Sequence, residues 1–407
     1  MLTDAQAIKP YEDSASAATY KRSIKSRSEP MCFQIRPSLT QTATLQFGIN
    51  LATLAHRAMS RLPTESGSRL TWKLEQNLAA GDLRLDPFVL RANVGNTSPE
   101  DIGMSCKLFP KQALVLHRMQ QQEMGQPFTV EEAEGAFVPA LGWRAEVCAE
   151  IDVTVRGGIC ADHPGFGKTI TSLALIHSQL ELGQDIVADI STRQTSNGTR
   201  GLIPTQATLI VAPNTLIRQW ASEIKDKLGY LKGVVVVSAL RELDKYGTEG
   251  FKKAKIILVN RTVLGHPDYA ERLASFAAMP GPATNSGRAF SQWLAHACKA
   301  VPEHLRILQN NGLKALRNHV KSRYAELVGS EDFRAIVPSR RLVGKDYIES
   351  KGKITKTVKP ALKAVPTGNL GRPLFEQLFF NRIIIDEFHQ YTPQEYASLK
   401  ALKANKR

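Results

Sequence analysis

Residues 157–176 read GGICADHPGFGKTITSLALI. A short apolar run, Gly158, Ile159, Cys160 and Ala161, meets a turn of Asp162, His163, Pro164, Gly165, Phe166 and Gly167, and Lys168 and Thr169 then open a run with helical periodicity. Strand, glycine-rich loop and helix N-terminus in that order make a cradle for phosphate. Gly165 and Gly167 let backbone N–H groups converge on phosphate oxygens, the helix presents its positive end, Lys168 reaches the β/γ phosphates and Thr169 ligates Mg²⁺. Asp162 stands where the general G-x-x-x-x-G-K-[ST] pattern has its first glycine, so on this stretch alone a plain glycine-rich turn remains open. The chemistry needs a second element, a carboxylate pair at the end of another strand to hold the metal and orient water. Asp386 and Glu387, directly after Arg382, Ile383, Ile384 and Ile385, supply it.

The elements that must position these groups follow from the apolar pattern. Thr208, Leu209, Ile210, Val211, Ala212 and Pro213 have the continuity of a buried parallel strand, followed by a helix with Asn214 as its expected N-cap. Further β runs cover 234–237 and 256–259. Strands alternating with helices predict an α/β domain with a mostly parallel sheet, with ligands at the carboxyl ends of the strands.

Composition narrows the class. The 407 residues carry 53 Lys+Arg against 38 Asp+Glu, net +15, which favours a polyanionic partner, with simple solubility as the plain alternative. Cys32, Cys106, Cys148, Cys160 and Cys298 are scattered, without a C-x-x-C pair, so neither a disulfide framework nor a cysteine zinc site is expected. No apolar run is long enough for a membrane span. Residues 1–40 are expected to be a disordered tail, with a basic cluster at 20–27 that is either a nuclear address or a solvated segment. Residues 41–106 are expected to form a helical and irregular extension. Residues 107–264 are expected to form the first part of a nucleotide-binding lobe, 265–378 a basic insertion and 379–407 the end of the lobe. Residues 120–155 read as a long connection delivering the chain to the phosphate loop. The insertion holds 18 Lys/Arg and 9 Asp/Glu, with a helical part at 292–327 and a Gly/Lys/Pro-rich part at 337–371.

Taken together these runs resemble the SWI/SNF helicase-like ATPases of helicase superfamily two. Residues 157–169 resemble motif I of that family, which also has Asp at the position of Asp162. Residues 208–213 with Leu216, Gln219 and Trp220 resemble motif Ia. Asp386, Glu387, Phe388 and His389 resemble the DEAH-type motif II, preceded by Phe380 and Arg382, where the family usually has Trp and Arg. Leu108 to Gln112 resemble the upstream glutamine motif, and 257–262 the strand and Thr that touch the nucleic-acid backbone. The resemblance covers roughly residues 107–264 and 379–404.

The resemblance implies an α/β, P-loop NTPase fold, a RecA-like parallel sheet flanked by helices, and with it a site. Gln112 reads adenine; Gly165, Gly167, Lys168 and Thr169 hold the phosphates of ATP; Thr169 and Asp386 hold Mg²⁺. Lys168, Asp386 and Glu387 form the catalytic set, with Glu387 orienting water. His389 couples the nucleotide site to DNA, and Thr215 and Thr262 touch phosphates of the tracking strand. The implied activity is DNA-dependent ATP hydrolysis driving movement along double-stranded DNA, in a chromatin or repair context in the nucleus. It requires a second RecA-like lobe, in cis or trans, because the chain stops at Arg407, before motif III. The arginine of that lobe contributes on the order of 10³-fold or more in rate. The alternative is an ATP-responsive DNA-binding module without useful hydrolysis; an unrelated P-loop kinase or GTPase would leave Trp220 and residues 386–389 as coincidences. His163 and Pro164 replace the family's usual Glu-Met and Phe388 its Ala, departures that bear on the nucleotide pocket. His296, His304 and His319 lack familiar metal-ligand spacing and read as a solvated basic face. Arg340, Arg341, Lys345, Lys351, Lys353, Lys356 and Lys359 read either as a phosphate-facing surface or as a solvated loop.

Overall fold

The computed structural model describes residues 29–37, 42–62, 67–76, 103–125, 127–181, 199–229, 232–282, 284, 287–329 and 367–407. They fall into two compact units. The described residues of Glu12–Gly95 and Gln121–Val155 make one, those of Asn96–Gln120 and Arg156–Arg407 the other.

In the first unit β1 (Met31–Pro37) and β2 (Ala43–Ile49) pair as an antiparallel hairpin. β1 lies within the stretch expected to be a tail. Its Met31, Phe33 and Ile35 alternate with Cys32, Gln34 and Arg36, the period-2 pattern of a strand. The expected helix is present as α1 (Leu51–Met59), capped by Asn50 Oδ1, which accepts from Thr53 N at 3.2 Å. It begins after β2, to which Leu45 and Ile49 belong although they stand four residues apart, a helical spacing. β3 (Arg69–Glu75), β4 (Phe128–Val138) and β5 (Trp143–Val153) form an antiparallel sheet in the order β3-β5-β4. The last two occupy what composition suggested was a mere connection. Along β5, Ala145, Val147, Ala149 and Ile151 face Leu54 and Ala58 of α1, while Glu146, Cys148 and Glu150 alternate with them on the other face. Small and acidic residues dilute the alternation, which is why its amplitude in the sequence is low.

The second unit runs α2 (Pro110–Met124), α3 (Lys168–Glu181), β6 (Ile203–Ala212), α4 (Asn214–Leu228), β7 (Val234–Val237), α5 (Arg241–Lys253), β8 (Ile256–Asn260), α6 (Pro267–Phe276), α7 (Gly287–Gly329), β9 (Leu378–Ile385), α8 (Pro393–Ala401) and β10 (Lys403–Lys406). All five of its strands are parallel, in the order β10-β9-β6-β8-β7. This is the parallel sheet that the apolar runs predict, in keeping with the RecA-like lobe that the resemblance implies. Alternate residues feed its two faces: Ile210, Ala212, Ile256 and Leu258 pack under α3 and α4, whereas Leu209, Val211, Ile257 and Val259 join the larger core on the other side.

That larger core takes in the helical part of the insertion. Trp293, Ala297, Val301 and Leu305 of one α7 arm and Leu316 and Val320 of the other are buried in it. Gly312, at φ 78° and ψ 177°, breaks α7 between the arms. Arg323 Nη1 reaches back to Glu303 Oε2 at 3.1 Å, so the arms lie antiparallel. The basic segment at 340–359 lies outside the described residues. No described helix is long and apolar enough to cross a membrane.

A buried acid sits in the same core. Glu376 Oε2 accepts the Tyr269 hydroxyl at 2.6 Å, and that hydroxyl accepts Phe375 N at 3.0 Å. Burial raises the Glu376 pKa from 4.5 to about 7, against the lowering effect of the Tyr269 bond. The folded state therefore holds a proton that the unfolded chain has released, so stability falls as pH rises from 4.5 to about 7 and levels off above. We predict that Glu376→Gln flattens this slope and raises stability at about pH 8 by about 3 kcal/mol relative to the parent, measured by urea unfolding.

Candidate functional site

The expected strand at 158–161 does not form a ladder; residues 157–163 are irregular. Gly158 N donates to Arg407 O at 3.0 Å and Arg407 N donates to Arg156 O at 2.9 Å, the parallel pattern of a single strand-like pairing. A side chain at Gly157 would fall onto the Arg407 carbonyl, so the close approach requires glycine there. The pairing also sets the register. Lys406 lies opposite Arg382 of β9, so the loop leaves the sheet edge one strand away from Asp386 and Glu387, and on the same carboxyl side.

Gly165 and Gly167 both take φ 86°, a left-handed conformation that lets the loop turn back over the start of α3. Lys168, its first residue, folds its side chain under the loop, with Nζ donating to Asp162 O at 2.7 Å and His163 O at 3.4 Å. Thr169 is half-buried in the same first turn. Gln112 lies against the loop: its Nε2 donates to Phe166 O at 3.1 Å, while its Oε1 accepts Phe109 N at 3.0 Å. A side chain at Gly167 would strike the Gln112 amide. Phe109, Ile159 and Phe166 are large apolar residues left exposed around this loop.

On the other flank, β9 delivers Asp386, whose N donates to Val211 O at 2.9 Å. Trp220 of α4 donates its indole N–H to Asp386 Oδ2 at 2.7 Å. Glu387 adopts φ 51° and ψ 47°, strained for a residue with a Cβ, and its Oε2 lies 3.4 Å from His389 Nδ1. Gln179 of α3 accepts from Arg382 Nη2 at 2.7 Å and from Asn381 Nδ2 at 3.2 Å. This pins the helix that starts at Lys168 to the strand that ends at Asp386. Sequence reading did not find Gln179, because only the fold shows that a helix Gln and a buried strand Arg meet.

Thr215 and Thr262 are exposed at the carboxyl ends of the neighbouring strands β6 and β8. Asn214 is not the N-cap. Pro213 occupies that position, and the Asn214 side chain instead accepts from Asn260 Nδ2 at 3.3 Å, tying the two turns together. Arg261 is ion-paired with Glu395 and lies over the Tyr391 ring, whose hydroxyl donates to Val211 O at 2.8 Å. The segment after Asp386 is thereby linked to the turn that bears Thr262. His304, expected on a solvated face, is instead fully buried, because the α7 hairpin folds it onto Phe276.

The Trp220 bond predicts a mutational effect. Trp220→Phe keeps the packing of α4 but removes a donor to a carboxylate, and is expected to cost about 1.5–3 kcal/mol in urea unfolding.

Residues 59–266, just over half the chain, match the SNF2-related domain. The chain belongs to this family. It is 30% identical over 374 residues to a DNA (cytosine-5-)-methyltransferase DMT5 of Cryptococcus neoformans, a match covering 87% of this chain but 15% of that protein. A DMT5 of Verticillium dahliae is 31% identical over 58% of this chain and 10% of its own length. The DNA repair protein rad5 of Neurospora crassa is 36% identical over 22% of this chain and 8% of its own. The chain thus spans a small part of each of these relatives. The SNF2-related match ends at residue 266, before α7, Asp386 and Glu387, so what those add is read from the fold.

Proposed function

We propose that this chain is the ATP-binding lobe of an SNF2-type, DNA-dependent ATPase. The observation that carries the reading is the placement of Lys168, bonded under its loop by Asp162 O at 2.7 Å, on the same carboxyl edge of one sheet as Asp386 and Glu387. Lys168 Nζ leaves the loop carbonyls for the β/γ phosphates, and the N–H groups around Gly165 and Gly167 close on the same oxygens. Thr169 would hold Mg²⁺ directly and Asp386 through water, with Trp220 fixing the Asp386 carboxylate. Bound Mg²⁺ neutralises charge on the phosphates; the residues hold and orient. Glu387 positions the attacking water, and Gln112, at the outer side of the loop, contacts adenine. His389 beside Glu387 relays the state of the site toward DNA, which Thr215 and Thr262 meet through backbone phosphates.

Duplex DNA as partner is supported by the net charge of +15 and by the names of the relatives, which speak of DNA methylation and DNA repair. A nuclear setting follows from that partner. A second RecA-like lobe, in cis or trans, supplies the transition-state arginine. The test is MgATP binding and phosphate release by the 407-residue chain, with and without duplex DNA. Binding with DNA-stimulated turnover supports the ATPase. Binding without turnover, even with a second lobe added, replaces it with an ATP-responsive DNA-binding module. Absence of nucleotide binding overturns both.

A further inference from the structure

The α7 hairpin brings together three side chains that the nucleotide site does not use. Glu303 and His304 on the first arm meet His319 on the second, and one donor atom from each lies within 4.8 Å of the others. His304 is fully buried. Its Nδ1 is 2.6 Å from the Phe276 carbonyl, a bond that only an Nδ1–H can make, so the Nε2 lone pair is left free. Nε2 of His304 and Nε2 of His319 are both buried without a hydrogen-bond partner among the described residues. An unpaired ring nitrogen in the core is costly, and two facing one carboxylate need an explanation.

The remaining geometry is directional. His319 Nε2 is 3.6 Å from Glu303 Oε1, too long for a hydrogen bond but near the roughly 3.3 Å that separates neighbouring ligands about 2.0–2.1 Å from a tetrahedral metal. Arg323 holds the other carboxylate oxygen, Oε2, at 3.1 Å, which turns Oε1 toward the imidazoles. The Phe276 carbonyl orients one imidazole and Arg323 the carboxylate, as outer-shell partners do around a metal. A cleft of about 300 Å³, lined in part by Ala278, Met279, His296, Glu303 and Arg323, reaches the carboxylate side of the cluster, from which water could complete a tetrahedral set. Ala278, at its edge, is held at φ 57°, a conformation that L-residues avoid.

We propose that Glu303, His304 and His319 bind a zinc ion that clips the two arms of the α7 hairpin together. Two neutral imidazoles and a carboxylate suit Zn²⁺, and a cation here removes both orphaned nitrogens at once. The site lies beyond residue 266, in the part of the chain that the family match does not include. It is independent of the ATP reading.

The test uses the whole chain after chelator treatment and dialysis. Zinc titration is expected to bind one equivalent and to raise Tm. Co²⁺ in its place is expected to give the visible bands of a four-coordinate nitrogen–oxygen site, without the near-ultraviolet charge-transfer band of thiolate ligation. His319→Ala and Glu303→Gln, at the half-exposed rim, are each expected to weaken zinc binding at least about 100-fold and to abolish the Tm response, leaving ATP binding unchanged. Circular dichroism of the metal-free variants keeps a folding defect apart from a lost ligand. No stoichiometric zinc, equal binding by the folded variants, or a thiolate spectrum from the cysteines would each overturn the proposal.

Discussion

Lys168→Ala is expected to weaken MgATP binding by about 100-fold or more and to lower any turnover by about 10²–10³-fold, while leaving the fold intact. The Lys168 ammonium is held under the loop by bonds to Asp162 O at 2.7 Å and His163 O at 3.4 Å, the position from which the proposed reading has it meet phosphate oxygens. Two charge-assisted bonds to phosphate, at about 1.5–3 kcal/mol each, account for the affinity loss. The same substitution costs little stability. Asp162 and His163 are exposed, so water satisfies the carbonyls that lose Lys168. Titration with MgATP, paired with a thermal melt, separates the two effects. A variant that binds MgATP as tightly as the parent would remove Lys168 from the site and with it the phosphate-loop reading.

The parts of this fold legible in the sequence are those whose burial is complete. β6, β8 and β9 lie inside a parallel sheet covered on both faces, so their C-terminal halves read as apolar runs, Leu209 to Ala212, Ile256 to Val259 and Ile383 to Ile385, and the carboxylates that follow β9 stand out against the last of these. The antiparallel sheet of the first unit was hidden by the opposite circumstance. Its strands are half-exposed, β4 carries Glu131, Glu132 and Glu134, and the inward residues of β5 are as small as Ala145 and Ala149. Local pattern also failed where a segment's conformation depends on a distant partner. Gly158, Ile159, Cys160 and Ala161 have strand composition, but the backbone hydrogen bonds reach no farther than Arg407, and Ile159 is left almost wholly exposed.

Within the site the division is similar. Residue type and spacing pointed to Lys168, Thr169, Asp386 and Glu387, since phosphate chemistry constrains both. They could not show that Trp220 bonds Asp386 across 166 positions, or that Gln179 anchors Arg382 across 203. His304 departs from the expected solvated face for a related reason. On a single helix, positions 304 and 319 are remote from one another, and only the break at Gly312 sets the two rings 5.1 Å apart.

Glu387→Gln is expected to separate binding from chemistry: MgATP affinity within a few-fold of the parent, but phosphate release slower by about 10²–10⁴-fold. The amide is nearly isosteric with the carboxylate, so the left-handed turn at φ 51° and the neighbouring strand end are kept. What is lost is the carboxylate oxygen that faces His389 at 3.4 Å and that the proposed reading has accept a hydrogen bond from the attacking water. A residue that orients water acts only as the reaction proceeds, so its removal reduces the rate with little change in the dissociation constant. Single-turnover hydrolysis on duplex DNA, with a second lobe present, reads the chemical step directly, and His389→Ala in parallel tests the neighbour. If His389 relays rather than catalyses, its variant keeps the basal rate and loses the acceleration by DNA. Equal rates for Glu387→Gln and the parent, with turnover detectable in both, would assign the water to another residue and reduce Glu387 to the partner of His389.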